Sequence, residues 1–289
     1  MNGLFSGLEK LGLGKMEDVE IFAREEKSTE VENPKKVEKV VSYTEEKDII
    51  FDKTYRCVVC GREFKNKTVM AGKAKLVSVD TDLRPRYQGI DCIKYDTIVC
   101  THCGYGALTR YYGGLTPGQT KFVKESICSN FMPVNFGEET YSYDDAIIRY
   151  QLCLANSVVK KARISERAYA CLKLAWLYRG KAETLDEIVP DYTGQLIELE
   201  EEEQKYIKSA YEGFTEAMAN EMFPICGMDE FTFTYMLANL ARRCKDYRTS
   251  VNLISRILTS KYATAKVKER ARELREIVKQ EVKENSADI

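Results

Sequence analysis

Two short cysteine pairs carry the plainest chemistry in this sequence. Cys57-Val-Val-Cys60-Gly61 and Cys100-Thr-His-Cys103-Gly104 repeat one pattern, with 39 residues between them. Two cysteines three apart in a tight turn can aim both sulfurs at one ion. Glycine after the second cysteine suits the left-handed backbone such a turn needs, and backbone amides in the turn can offset thiolate charge. Two knuckles complete a tetrahedral four-sulfur shell that leaves no open catalytic position. The pattern predicts one structural zinc held by Cys57, Cys60, Cys100 and Cys103. Iron in the same shell is an alternative that the ligands leave open. The metal-free alternative is two buried or redox-active thiol pairs. The separation exceeds the roughly 15–20 residues of common ribbon spacings, which leaves room for one additional hairpin.

Other chemistry is sparse. His102, the only histidine, sits inside the second knuckle. Four sulfurs leave it no ligand role, so it is expected to be exposed there. No nucleophile–base constellation emerges, which argues against an enzyme. Asp80 and Asp82 are followed by Arg84 and Arg86. In a strand, residues two apart share a face, so both carboxylates could converge on a cation or a substrate. The Asp-Thr-Asp-Leu-Arg-Pro composition fits a solvated hairpin turn better. Cys92, Cys128, Cys153, Cys171, Cys226 and Cys244 are isolated and read as small buried hydrophobes.

A net charge of -1 gives no global pull toward nucleic acid or membrane. The distribution is uneven. Between Lys53 and Val79 stand seven bases (Lys53, Arg56, Arg62, Lys65, Lys67, Lys73, Lys75) and one acid, Glu63; between Thr184 and Gln204 stand eight acids and no base. The basic run could face nucleic acid, with Tyr55 and Phe64 as stacking platforms. It could equally be a solvated rim or a dock for the acidic run. No stretch of about 18 apolar residues is present, so no membrane span is predicted. The start, MNGLFSGLEKLGLGK, lacks the regions of a signal peptide. A cytoplasmic protein with reduced thiols is expected.

The elements that must position the cysteines follow from pattern. Residues 1–26 place Leu4, Leu8 and Leu11 at helical spacing but interleave glycines. That reads as a loosely ordered arm, with a membrane or partner anchor as the sharper alternative. Residues 27–48 read as a charged linker. Residues 49–135 form a zinc-ribbon-like module of short β runs, closed by a helix that starts at Thr116-Pro117 and ends about Cys128. Residues 136–289 are helical. The triplets Ala146/Tyr150/Cys153, Ala210/Phe214/Ala217 and Ser250/Ile254/Ile257 repeat a small–large–small spacing of four then three, loosened in the third copy. Leu174/Ala175/Tyr178 and Leu237/Ala238/Ala241 suit the partner helices. This predicts a tetratricopeptide-like stack, interrupted around Lys181–Glu203 and capped by residues 264–285; an ordinary bundle is the alternative. The fold class is therefore α+β, a small β module followed by an all-α repeat module. Lys173, Arg179, Asn239 and Arg242 fall between the packing positions. Arg179 and Arg242 are predicted to contact a protein or peptide partner, through its carboxylates or its backbone.

The start GLFSGLEKLGLGK, the Phe51-Asp52-Lys53 lead-in, the two knuckles and Asp80-Thr81-Asp82 together resemble the bacterial domain of unknown function 2225 family. The resemblance implies a zinc-ribbon-like start and a repeat-like helical end, and no established activity. Val59 replaces the usual proline of the first knuckle and leaves the ligands intact. The expected function is a zinc-binding interaction or scaffold protein for a protein or peptide partner. A nucleic-acid-binding ribbon is a less favoured alternative, and a zinc-thiolate redox sensor is a third.

Overall fold

Knuckles need a rigid frame, and short hairpins provide it. The computed structural model describes residues 45–287; the N-terminal arm and most of the linker lie outside the described residues. β1 (Ile50–Arg56) pairs antiparallel with β2 (Glu63–Val69), from Ile50 opposite Val69 to Arg56 opposite Glu63. The loop between them is the first knuckle. β5 (Thr97–Val99) pairs with β6 (Gly106–Leu108), and their loop is the second knuckle. The long separation does hold an extra hairpin, β3 (Leu76–Val79) with β4 (Pro85–Tyr87). The end of the expected linker belongs to the fold: Glu46–Asp48 form a 3-10 turn, and Glu46 bonds Lys94 at 2.7 Å and the Tyr95 hydroxyl at 2.7 Å.

The helices start where local capping dictates. α1 (Pro117–Val123) has a capping box from Thr116 and Gln119 with proline in its first turn, and a π turn extends it to Cys128. α2 (Tyr143–Val159) is capped by Ser142 and Asp145. α3 (Ile164–Glu183) and α4 (Tyr192–Asn220) follow. Asp229 caps α5 (Glu230–Arg243), Asp246 caps α6 (Tyr247–Thr259), and α7 (Ala265–Ala287) completes the chain of helices. From α2 onward each helix packs on the next, and α7 also touches α5. All three small–large–small triplets are buried at these contacts. The expected interruption is mostly helix. Only residues 184–191 form a loop; residues 181–183 end α3, and residues 192–203 begin α4, with Leu199 and Glu203 buried.

The change from hairpins to helices is not a gap in packing. The described residues, 45–287, all fall in one compact unit. Ile93 and Leu108 share a core cluster with α2, α3, α4 and α5. The Tyr150 hydroxyl donates to the Ile93 carbonyl at 2.9 Å, and the Asn156 amide donates to the Gly104 carbonyl at 2.9 Å. Arg149, 1% exposed, donates to the Asn66 side chain and the Thr97 carbonyl. The rings of Tyr141 and Phe136 lie 4.2 and 4.9 Å from its guanidinium. Burial pulls that guanidinium below its ordinary pKa.

Candidate metal centre

The two knuckles are copies in geometry as well as in sequence. In the first, the Cys57 amide donates to the Arg62 carbonyl at 2.9 Å and Gly61 donates back to the Cys57 carbonyl at 2.9 Å. In the second, Cys100 donates to Tyr105 at 2.8 Å and Gly104 to Cys100 at 3.0 Å. Gly61 and Gly104 both take the left-handed backbone, at φ +74° and +73°. The amides of Val59 and Cys60 point at the Cys57 sulfur at 3.4 and 3.5 Å, so backbone dipoles oppose its negative charge.

These turns bring the four predicted sulfurs together. All lie within 4.8 Å of one another. Cys57 and Cys103 are 3.6 Å apart, and Cys60 and Cys100 are 3.8 Å apart. A tetrahedral ion with bonds of about 2.3 Å to sulfur needs sulfurs about 3.8 Å apart, so the cluster fits such an ion. Three of the cysteines are buried and Cys60 is exposed at the rim. Phe64, Ile98, Tyr105 and Val123 wrap the centre in apolar surface. Four thiols packed this closely cannot all ionise on their own. Hydrogen bonds from Cys100 and Cys103 hold the Cys57 thiol far below its ordinary pKa, while Cys100 and Cys57 push Cys103 far above. A divalent cation would resolve the conflict by binding every sulfur as thiolate. His102 stays outside, exposed, with Nε2 3.0 Å from the Glu63 carbonyl.

A family model described as an uncharacterized protein conserved in bacteria, the domain of unknown function 2225, matches residues 50–278. The chain belongs to this family. The match runs from the first residue of β1 into α7, so the domain of unknown function 2225 includes both knuckles and the helices packed on them. No curated protein and no solved structure matches the chain.

The remaining sequence candidates lie elsewhere within this family's domain. Asp80 and Asp82 do sit in a hairpin turn, but the turn is not solvated. Asp82 is 1% exposed and accepts from Trp176 Nε1 at 3.0 Å, Arg179 at 2.5 Å and Arg243 at 3.4 Å. Asp80 pairs with Arg86 at 2.7 Å. Leu83, in the same turn, packs against both helical core clusters. Neither carboxylate is left for a cation, because arginines already neutralise both. Burial alone would raise the Asp82 carboxyl, but the Arg179 guanidinium overrides it and holds the group below the usual carboxylate range.

Arg179 also binds Glu203 at 2.8 Å, and Arg242 is bonded to Glu281 of α7. Both proposed contact residues therefore already hold acids of their own chain. Glu203 is the one member of the acidic run that is buried, and it pairs with Arg179 and Arg243 of the helices. Among the described residues no ion pair links the acidic run to the basic one. Lys53, Arg56, Arg62, Lys65, Lys73 and Lys75 are exposed, and in the described region only Lys67 of the basic run has an acid, Asp52 at 3.2 Å. Cys153, Cys171 and Cys226 are buried as expected; Cys92, Cys128 and Cys244 are half-buried.

Sequence reasoning missed the residues that support these sites. Phe131 covers Gly104, and Trp176, Arg84, Arg243 and Glu183 build the network around the β3–β4 turn. One signal was available: the sole tryptophan lies three residues before Arg179, on the same helical face.

Proposed function

We propose that this chain is a zinc-stabilised binding protein that presents a folded surface to a protein or peptide partner. The carrying observation is the closed four-sulfur cluster. A shell completed by protein ligands stabilises a fold and offers a substrate no open position. Zinc suits four thiolates in tetrahedral array, and the separation of the sulfurs matches it. Metal analysis of the purified protein is expected to give about one zinc per chain. The Cys57→Ser, Cys103→Ser double variant is expected to lose it, and full retention by that variant would end the assignment.

In this reading the helices form a tetratricopeptide-like stack, and Arg179 and Arg242 are the guanidinia an acidic partner engages by displacing Asp82 or Glu281. Arg242 is the cleaner test, since its acid comes from the last helix. A partner cross-linked to wild type should be lost by Arg242→Ala at unchanged circular dichroism. Equal capture refutes that contact.

One observation favours a second reading. Six cations of the β1–β2 hairpin and the segment after it form no ion pair among the described residues, and the half-buried ring of Tyr55 lies beside them, backed by the buried Phe64. Unpaired cations beside aromatic rings suit single-stranded nucleic acid. Fluorescence anisotropy with a generic single-stranded oligonucleotide tests it: binding should weaken with salt and vanish in Lys53→Glu, Lys65→Glu.

A further inference from the structure

A cleft opens between the β1–β2 and β3–β4 hairpins. It encloses about 460 Å³, inside the roughly 300–1,000 Å³ range of small-molecule sites. Val69, Met70, Ile98 and the rings of Tyr55 and Tyr87 form apolar walls. None of the four clustered cysteines lines it. One wall is charged, carrying Lys173 of α3 and Asp96, the residue before β5.

Lys173 is an unusual residue to find there. It is 6% exposed. Its ammonium bonds Asp96 and lies 4.8 Å from the centre of the Tyr169 ring. An ammonium carries three donors, and the described residues supply these two partners. Burying a charge is costly unless it is fully paired. Attachment of α3 to the hairpins does not require it, because Asp82 already bonds Trp176 and Arg179. Asp96 keeps 38% of its side chain exposed, so the pair has a solvent-facing side that a ligand can reach.

We propose that this cleft binds a small zwitterionic molecule with an apolar body, the chemistry of an apolar α-amino acid. The wall presents one cation and one anion. A simple anion would meet Lys173 but face Asp96, and a simple cation would meet Asp96 but face Lys173. A zwitterion gives each its complement, carboxylate to Lys173 and ammonium to Asp96, so one ion pair is exchanged for two. Its apolar part then lies against Met70, Val69 and the tyrosine rings, where burial is favourable. Neither the metal ligands nor Arg179 and Arg242 line this cleft.

Isothermal titration of the full chain with L-phenylalanine and L-leucine tests it, alongside 3-phenylpropionate, which keeps only the carboxylate, and phenethylamine, which keeps only the ammonium. At least one amino acid should bind, and each singly charged analogue should bind about 10-fold more weakly or worse, the loss expected for one charge-assisted bond. Lys173→Met and Asp96→Asn should each weaken amino-acid binding by about the same factor. Ala71, exposed on the rim of the cleft, offers a control that leaves both charges in place: Ala71→Trp should block binding even if Lys173→Met fails to fold. Failure of both amino acids to bind overturns the proposal. So does binding that survives Ala71→Trp, or an analogue that binds as well as the amino acids.

Discussion

Gly61 and Gly104 occupy equivalent places in the two knuckles but meet different surroundings. Both have left-handed φ, which costs a residue with a Cβ about 1–2 kcal/mol. Around Gly61 a new methyl would meet nothing within 4 Å; at Gly104 it would lie 2.5 Å from the Phe131 ring. Overpacking of that kind adds about 1–3 kcal/mol. Gly104→Ala is therefore expected to lower the thermal midpoint by clearly more than Gly61→Ala, as differential scanning fluorimetry would show. A further change of Phe131 to Leu should recover part of the loss. Equal midpoints would mean that Phe131 does not support the second knuckle. The knuckles themselves were legible in the sequence because their chemistry is local: two sulfurs, one turn and one glycine sit within five residues. Phe131 was not legible, because nothing in its own neighbourhood marks it as the lid of a turn 27 positions earlier, the difference between 131 and 104.

At the scale of elements, the β3–β4 hairpin is the part whose role the sequence concealed. Its existence followed from the long spacing between knuckles, and its turn from the Asp-Thr-Asp composition. Its docking did not, because Asp82 and Arg179 are 97 residues apart, and no periodic pattern encodes that meeting. The start of α1 was readable for the opposite reason, since Thr116-Pro117 acts within one turn. The docked hairpin makes a definite prediction. Removing one partner of a buried ion pair strands the others, so Asp82→Ala should cost about 3–5 kcal/mol in urea unfolding, whereas exposed Arg272→Ala should cost under about 1 kcal/mol. A pH series separates charge from packing. The Asp82 pKa is depressed in the folded state, so its contribution is complete above the unfolded-state value of about 3.9 and is lost as pH falls through the folded one. The wild type should lose stability relative to Asp82→Asn as pH drops below about 4. Parallel profiles would show that Asp82 acts through packing alone.

At the scale of the described residues, hairpins and helices share packing, and that changes what metal removal should do. A sequence boundary at 135/136 suggests that a chelator would unfold the ribbon and leave the helices untouched. The contacts argue otherwise. The Gly104 carbonyl, inside the second knuckle, accepts from Asn156 of α2. Arg149 reaches from α2 to Asn66 of β2 and to Thr97 of β5, and Ile93 and Leu108 lie in the principal helical core. Collapse of the knuckles would strip α2 of these partners and strand Arg149 as a buried cation, a costly state. The core of α5, α6 and α7, built on Ile254, Ile257, Ala271 and Leu274, touches neither knuckle. Chelation should therefore loosen the chain progressively from the metal outward. Hydrogen exchange is expected to accelerate through both knuckles and α2, with α6 and α7 protected the longest. Far-ultraviolet circular dichroism should fall only modestly, and the thermal transition should move down as a single step. Two separate thermal transitions, with α2 exchange unchanged by the chelator, would show that the hairpins and helices are independent after all. A chain restricted to residues 140–285 gives the complementary result. Without Asp82, Arg179 loses one of its buried acids and keeps Glu203, and Arg149 loses its Asn66 and Thr97 partners. That fragment should expose apolar surface, bind a hydrophobic dye and lack a cooperative transition.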